Sequence, residues 1–319
     1  MQNPEIQRFD LPYVLKSHDF LNLIVDSRSL RKNPLGDPTV RHNYVLVPRG
    51  DKNFVQNVDD GVTQRLFPKA VHVFVEATTY WGGSQFINSP GCGRYSDYIR
   101  KDLFRAVQDH LPVSGSPNMC CVMGGSSGGY GALSLISEKD SPYGIAFATA
   151  PDSFFVASLL PELFHAAPEL LKYKSFKELK KMIAAGELQD KKSFFNLANV
   201  VAMSHYYKTK KAFKRDWIDF PIDLHTGELK ASLWKEWLKH DPVEFLKTRK
   251  KNLAGKTIHL DVGKYDNFSL QFGTRQIAKT LKAAKVKHSY TEFPGNHFGL
   301  SARRLGFLEK LAKTWGAYV

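Results

Sequence analysis

The chain of 319 residues carries 45 Lys and Arg against 31 Asp and Glu, a formal net charge of +14, and is 43% hydrophobic and 13% aromatic. That apolar share is enough for a large core and excludes disordered and fibrous classes. No run of about 18 apolar residues that would span a bilayer occurs, and the stretch 1–8 lacks the basic-then-apolar pattern of a secretory signal, so a cytoplasmic location is expected.

In chain order, short β-branched and apolar runs at 44–47, 71–75, 119–123, 145–149, 257–262 and 289–293 read as strands. Helical periodicity lies between them. Segment 95–111 puts Ile99, Leu103, Phe104, Val107 and Leu111 on one face, and 270–284 and 305–315 behave alike. Strands alternating with helices predict an α/β fold, a mostly parallel sheet covered by helices on both faces. From about 152 to 251 the alternation stops and helices rich in Phe, Leu and Lys follow, with breaks at Phe220-Pro221 and Thr226-Gly227. We read residues 1–319 as one domain with a helical cap insertion at about 152–251.

The three cysteines, Cys92 and the adjacent pair Cys120-Cys121, are no disulfide framework and read as small buried hydrophobes. The basic residues gather at 208–215 and 247–251, in or beside the helix-rich stretch, without a recognisable nucleic-acid module. They read as a solvated face. No nucleic-acid partner is expected, and attraction of an anionic substrate or acidic surface is the alternative.

The chemistry concentrates in Gly124-Gly125-Ser126-Ser127-Gly128-Gly129-Tyr130-Gly131. A dinucleotide G-x-G-x-x-G does not fit this run, and Gly255-Lys256-Thr257 lacks the first glycine of a P-loop because Lys250 stands in its place. A nucleophile elbow, G-x-S-x-G between a strand and a helix, fits in two registers, centred on Ser126 or on Ser127. A serine hydroxyl needs a histidine to take its proton and a carboxylate to orient that imidazole. In this fold their chain order is serine, acid, histidine. Asp266 follows strand 257–262 and His297 follows strand 289–293, so both fall at carboxyl ends of strands. Asp261, inside its strand, is the rival acid. The other ten histidines read as solvent or packing residues.

At these residues the chain resembles the α/β-hydrolase esterase family that includes esterase D (S-formylglutathione hydrolase), feruloyl esterases and mycolyltransferases. The resemblance rests on Asn33-Pro34-Leu35-Gly36-Asp37-Pro38, on Gly82-Gly83-Ser84-Gln85-Phe86-Ile87-Asn88-Ser89, on Gly93-Arg94-Tyr95, on Ser126 to Leu133, on Gly227-Glu228-Leu229, and on the Asp266 and His297 loops. It implies Ser126 as the nucleophile, because the family's serine stands two residues before the Gly-Gly pair, and it implies the Ser127 backbone N–H as an oxyanion donor. The expected activity is carboxylic ester hydrolysis by a Ser126–His297–Asp266 triad on a small-molecule ester, without metal or cofactor. Acyl transfer to an alcohol or sugar, and a catalytically weak binding protein, are the alternatives. The family's usual loop for a second oxyanion amide is short here, leaving Arg49-Gly50 or another segment to supply it. Trp81 and Tyr95 are candidate substrate-pocket residues.

Overall fold

The structure, a computed structural model, describes residues 5–8, 18–48, 68, 70–185, 194–207, 219–298 and 300–315. Four strands come first: β1 (Glu5–Arg8), β2 (His18–Asp26), β3 (Val40–Pro48) and β4 (His72–Phe74), paired antiparallel in that order. In β3 the residues alternate, with Arg41, Asn43 and Val45 buried and His42 and Tyr44 exposed, as a sheet with one wet face requires. The run 44–47 is the centre of this longer strand. β1 and β2 were not anticipated, although Leu21, Leu23 and Val25 of β2 alternate with polar or less buried neighbours.

The second sheet holds β5 (Cys121–Gly125), β6 (Ile145–Thr149), β7 (Thr257–Gly263) and β8 (Lys287–Phe293), all parallel, in the order β8-β7-β6-β5. The expected strand at 119–123 starts two residues late because Pro117–Met119 form a 3₁₀ turn. All five residues of β6 are buried. Its alternate side chains serve opposite faces: Ile145 and Phe147 pack with Phe307 and Leu311, while Ala146 and Ala148 join the main core with Leu133, Ile136, Ile277 and Leu281. Helices therefore cover both faces of the sheet, as the α/β reading expects.

The helix expected at 95–111 is a composite, here α1, of Tyr95–Asp97, a π-helical stretch Tyr98–Leu103 and Phe104–His110. There follow α2 (Ser127–Ser137), α3 (Leu159–Leu170), α4 (Phe176–Ala184), α5 (Phe194–Tyr206), α6 (Ala231–Leu238), α7 (Pro242–Thr248), α8 (Leu270–Ala283) and α9 (Ser301–Trp315). Helices α3 to α7 all fall between 152 and 251. Asp241 caps α7 and accepts the backbone N–H groups of Phe154 at 2.9 Å and Phe155 at 2.7 Å, tying the start of this stretch to its end.

A buried polar knot joins the antiparallel sheet to the loop after β4. The Arg41 guanidinium donates to Glu76 at 2.7 Å, to the Thr78 carbonyl at 2.9 Å and to the Tyr95 hydroxyl at 2.7 Å, and that hydroxyl donates to Asp37 at 2.7 Å. Removing Arg41 leaves the buried Asp37 and Tyr95 without their cation, while Glu76 keeps partial access to water. Arg41→Ala is expected to cost about 3 kcal/mol or more of unfolding free energy, read as a lower urea midpoint. A midpoint equal to wild type would show that the knot contributes nothing.

Candidate active site

Strand β5 runs into Gly124-Gly125, and α2 begins at Ser127, so Ser126 is the corner between them. Its backbone is left-handed, with φ 56 and ψ −125, a conformation that a non-glycine residue holds only when the surroundings impose it. They do so here. Ser126 N–H donates to the Thr149 carbonyl at 2.9 Å, and Tyr130 N–H donates back to the Ser126 carbonyl at 2.9 Å to open the helix. A Cβ on Gly124 would lie 2.4 Å from the backbone of Gly128, and one on Gly129 would lie 2.9 Å from the Thr149 carbonyl. These glycines let the strand and helix approach closely enough to turn the corner. Of the two registers, the strained corner belongs to Ser126, and Ser127 is the first residue of α2.

The loops after β7 and β8 interlock. Lys264 N–H donates to the Phe293 carbonyl and Tyr265 N–H to the Gly295 carbonyl, both at 2.9 Å, and His297 N–H donates to the Asn267 side chain at 3.2 Å. A Cβ on Gly263 would lie 2.6 Å from the Asn296 carbonyl. Asp266 is fixed within this pair of loops. One carboxylate oxygen accepts the Phe268 N–H at 2.9 Å, and the other meets His297 Nδ1 at 2.7 Å. The Asp266 side chain is fully buried, and the edge of the His297 ring packs against Phe268 with centroids 4.7 Å apart.

The two halves meet at a single hydrogen bond. His297 Nε2 lies 3.1 Å from Ser126 Oγ. Serine, imidazole and carboxylate thus form a chain of two hydrogen bonds, with each imidazole nitrogen used once. The rival Asp261 is not in it, because its carboxylate takes the Arg303 guanidinium, with Nε at 2.9 Å.

The structure adds two residues that sequence reasoning missed. Asp152, just beyond β6, accepts a hydrogen bond from Ser126 Oγ at 3.3 Å on one oxygen and from Gln85 Nε2 at 3.1 Å on the other. Burial pushes its carboxyl above the usual range. Gln85 stands inside a quoted motif, but Asp152 had only a place at the carboxyl end of a strand to signal it, where ligands of such sheets collect.

Of the two aromatic candidates, neither presents a free face to the serine. Tyr95 is fully buried and its hydroxyl is used in the Arg41 knot. Trp81 is buried and stacks on His205, with centroids 5.6 Å apart, and on Phe176 at 5.0 Å, joining the loop after β4 to α4 and α5. The Arg49-Gly50 loop lies outside the described residues. Among the described residues the three cysteines are free thiols, Cys92 buried and Cys120 and Cys121 half-buried, and no group of three or more His, Cys, Asp or Glu is set to hold a metal. No described helix is long and apolar enough to cross a membrane.

Two surface cavities of about 450 and 460 Å³ lie elsewhere. They adjoin at Lys250 and Ala284, and Lys247, Lys279, Lys256, Lys285 and Lys287 also line them. Lys256 and Lys287 stand at the amino ends of β7 and β8, the opposite end of the sheet from Ser126. Much of the basic character therefore sits away from the elbow.

Comparison with known proteins bears on the family and the fold. The profile of the family described as "Putative esterase" matches residues 44–301, about four fifths of the chain. No curated protein sequence matches. Among solved structures, an S-formylglutathione hydrolase from Agrobacterium tumefaciens superposes with a TM-score of 0.55 at 12% identity, covering 100% of both chains. A ferulic acid esterase gives 0.53 at 13% identity, covering 94% of this chain and 99% of its own. The serine hydrolase FphF from Staphylococcus aureus gives 0.52 at 14% identity, over 93% and 98%. Those likenesses concern the fold. Together with the family match over most of its length, they make this chain a member of the Putative esterase family, a carboxylesterase with the α/β-hydrolase fold.

Proposed function

We propose that the protein hydrolyses small-molecule carboxylic esters through a Ser126–His297–Asp266 triad and an acyl-enzyme intermediate. The observation that carries this is the pair of hydrogen bonds through one imidazole, 2.7 Å to Asp266 and 3.1 Å to Ser126. Asp266 accepts the Nδ1–H and so leaves the Nε2 lone pair facing the serine. His297 takes the hydroxyl proton as Ser126 Oγ bonds to the ester carbonyl carbon, then gives it to the leaving alcohol. Water enters, loses a proton to the same imidazole, and releases the acid. The Ser127 N–H, at the start of α2, is the donor assigned to the oxyanion. The helical stretch at about 152–251 is assigned as the cap over this site.

A fluorophosphonate probe is expected to modify Ser126, located by peptide mapping, and p-nitrophenyl acetate to give a burst of p-nitrophenol equal to the labelled fraction. Modification of Ser127 instead would mean the other register, and absence of both label and burst would remove the covalent mechanism.

A further inference from the structure

The wall beside the nucleophile holds more hydrogen-bond acceptors than donors. Asp152 brings two carboxylate oxygens to Ser126 Oγ and Gln85 Nε2. Gln85 is itself only 1% exposed, and its carbonyl oxygen has no partner among the described residues. Nearby on α3, Glu162 is buried, accepts a hydrogen bond from Asn199, and is pushed up to about 7 by burial, with the Asp152 charge adding to the rise. For Asp152 burial is the cause that raises it, while hydrogen bonds from Gln85, Ser127 and Ser126 and the charge of His297 act the other way. The side chains that donate to the two carboxylates are neutral, namely the Ser126 and Ser127 hydroxyls and the Gln85 and Asn199 amides.

The backbone holds this arrangement under strain. Ala150 and Phe154, on either side of Asp152, have φ of 43 and 53, and the segment is clamped where Phe154 and Phe155 donate to Asp241. Gln85 and Phe86 are also left-handed, with φ of 51 and 56, and the Phe86 ring leaves room for α2 only because Gly131 has no Cβ, which would lie 2.3 Å from it. Non-glycine residues in such conformations carry strain, which persists where the surroundings over-determine it and collects at functional sites.

Resting on the serine-esterase reading, we propose that Asp152, with Gln85 and Glu162 behind it, recognises an ammonium group on the α-carbon of the acyl part, so that α-aminoacyl esters are the preferred substrates. The geometry fits. Once Oγ is bonded to the carbonyl carbon, an α-nitrogen lies three bonds from Oγ, and Asp152 lies 3.3 Å from Oγ on its own side. The pairing also frees the nucleophile. Ser126 has one hydroxyl hydrogen and two acceptors within reach, His297 Nε2 at 3.1 Å and Asp152 at 3.3 Å. An ammonium that donates to Asp152 leaves that hydrogen to the imidazole, with no proton transferred to or from Asp152.

The test compares the methyl esters of alanine, lactate, propionate and N-acetylalanine at about pH 6.5, below the ordinary α-amino pKa of about 7.7–8.0. Rates are expressed per site labelled by the fluorophosphonate, so that unfolded protein does not count. The alanine ester is expected to exceed the propionate ester about tenfold or more in kcat/KM, and the lactate and N-acetylalanine esters to fall near propionate. Asp152→Asn should bring the alanine-to-propionate ratio close to one, and Glu162→Gln should lower it less. A wild-type preference for propionate, a lactate rate equal to alanine, or an unchanged ratio in Asp152→Asn would each overturn the inference while Ser126 still labels. No labelling and no turnover of any ester would overturn the serine-esterase reading beneath it.

Discussion

Ser126→Ala is expected to lower kcat on p-nitrophenyl acetate by at least about 10³-fold and toward the ~10⁶-fold seen when the nucleophile of a serine triad is removed, leaving the small rate that oxyanion binding supplies. Ser127→Ala should stay within about tenfold of wild type, because the role proposed for Ser127 uses its backbone N–H, which alanine keeps. The contrast is informative because the two serines are adjacent and only one occupies the left-handed corner, with φ 56. Equal rates in Ser126→Ala and wild type would remove the nucleophile assignment. Near-total loss in Ser127→Ala with an intact circular dichroism spectrum would move it by one residue.

Asp266→Asn should cost about 10⁴-fold in kcat with the fold intact. The carboxylate accepts from His297 Nδ1 at 2.7 Å while its other oxygen is held by the Phe268 N–H, so the orientation is set from both ends. An amide in that place turns an NH₂ toward Nδ1, and the imidazole then carries its hydrogen on Nε2, facing the serine it should deprotonate. A second carboxylate, Asp152, lies near enough to act on His297 electrostatically. The same assay on Asp152→Asn therefore separates the two. A loss under about tenfold in Asp266→Asn would show that Asp266 does not fulfil the acid's role.

The proposed site was legible in the sequence to the extent that it depends on chain order. Ser126, Asp266 and His297 each follow a strand, the strands are apolar enough to be read, and the fold leaves one order for the three. Choosing between Ser126 and Ser127 needed the family resemblance, since both registers satisfy the spacing. Only backbone conformation separates them physically. Asp152 and Gln85 were not legible, because what matters about them is proximity across 67 residues of chain. The hydrogen bonds of Tyr95 to Asp37 and Arg41 were not legible for the same reason, since they join residues 58 and 54 apart in the chain. β2 was passed over although its apolar positions alternate, and α1 was read as one regular helix because side-chain periodicity does not register the wider turn of a π-helical stretch.

Strand β6 gives the proposed triad its ruler. Ser126 follows β5 and the loop of Asp266 follows β7, with β6 between them, while the loop of His297 follows β8, beyond β7. At its carboxyl end the Thr149 carbonyl holds Ser126 N–H at 2.9 Å on one side, and Ala150 N–H reaches the Asp261 carbonyl at 2.6 Å on the other. Ala148, fully buried, is in register with Gly124 and Leu260. The gap that His297 spans to the serine is therefore a distance between non-neighbouring strands, fixed by backbone pairing at about 4.8 Å per strand. A bulkier side chain at Ala146 or Ala148 would press from within the core on the helices packed over that face, among them α2, which begins at Ser127 beside Ser126.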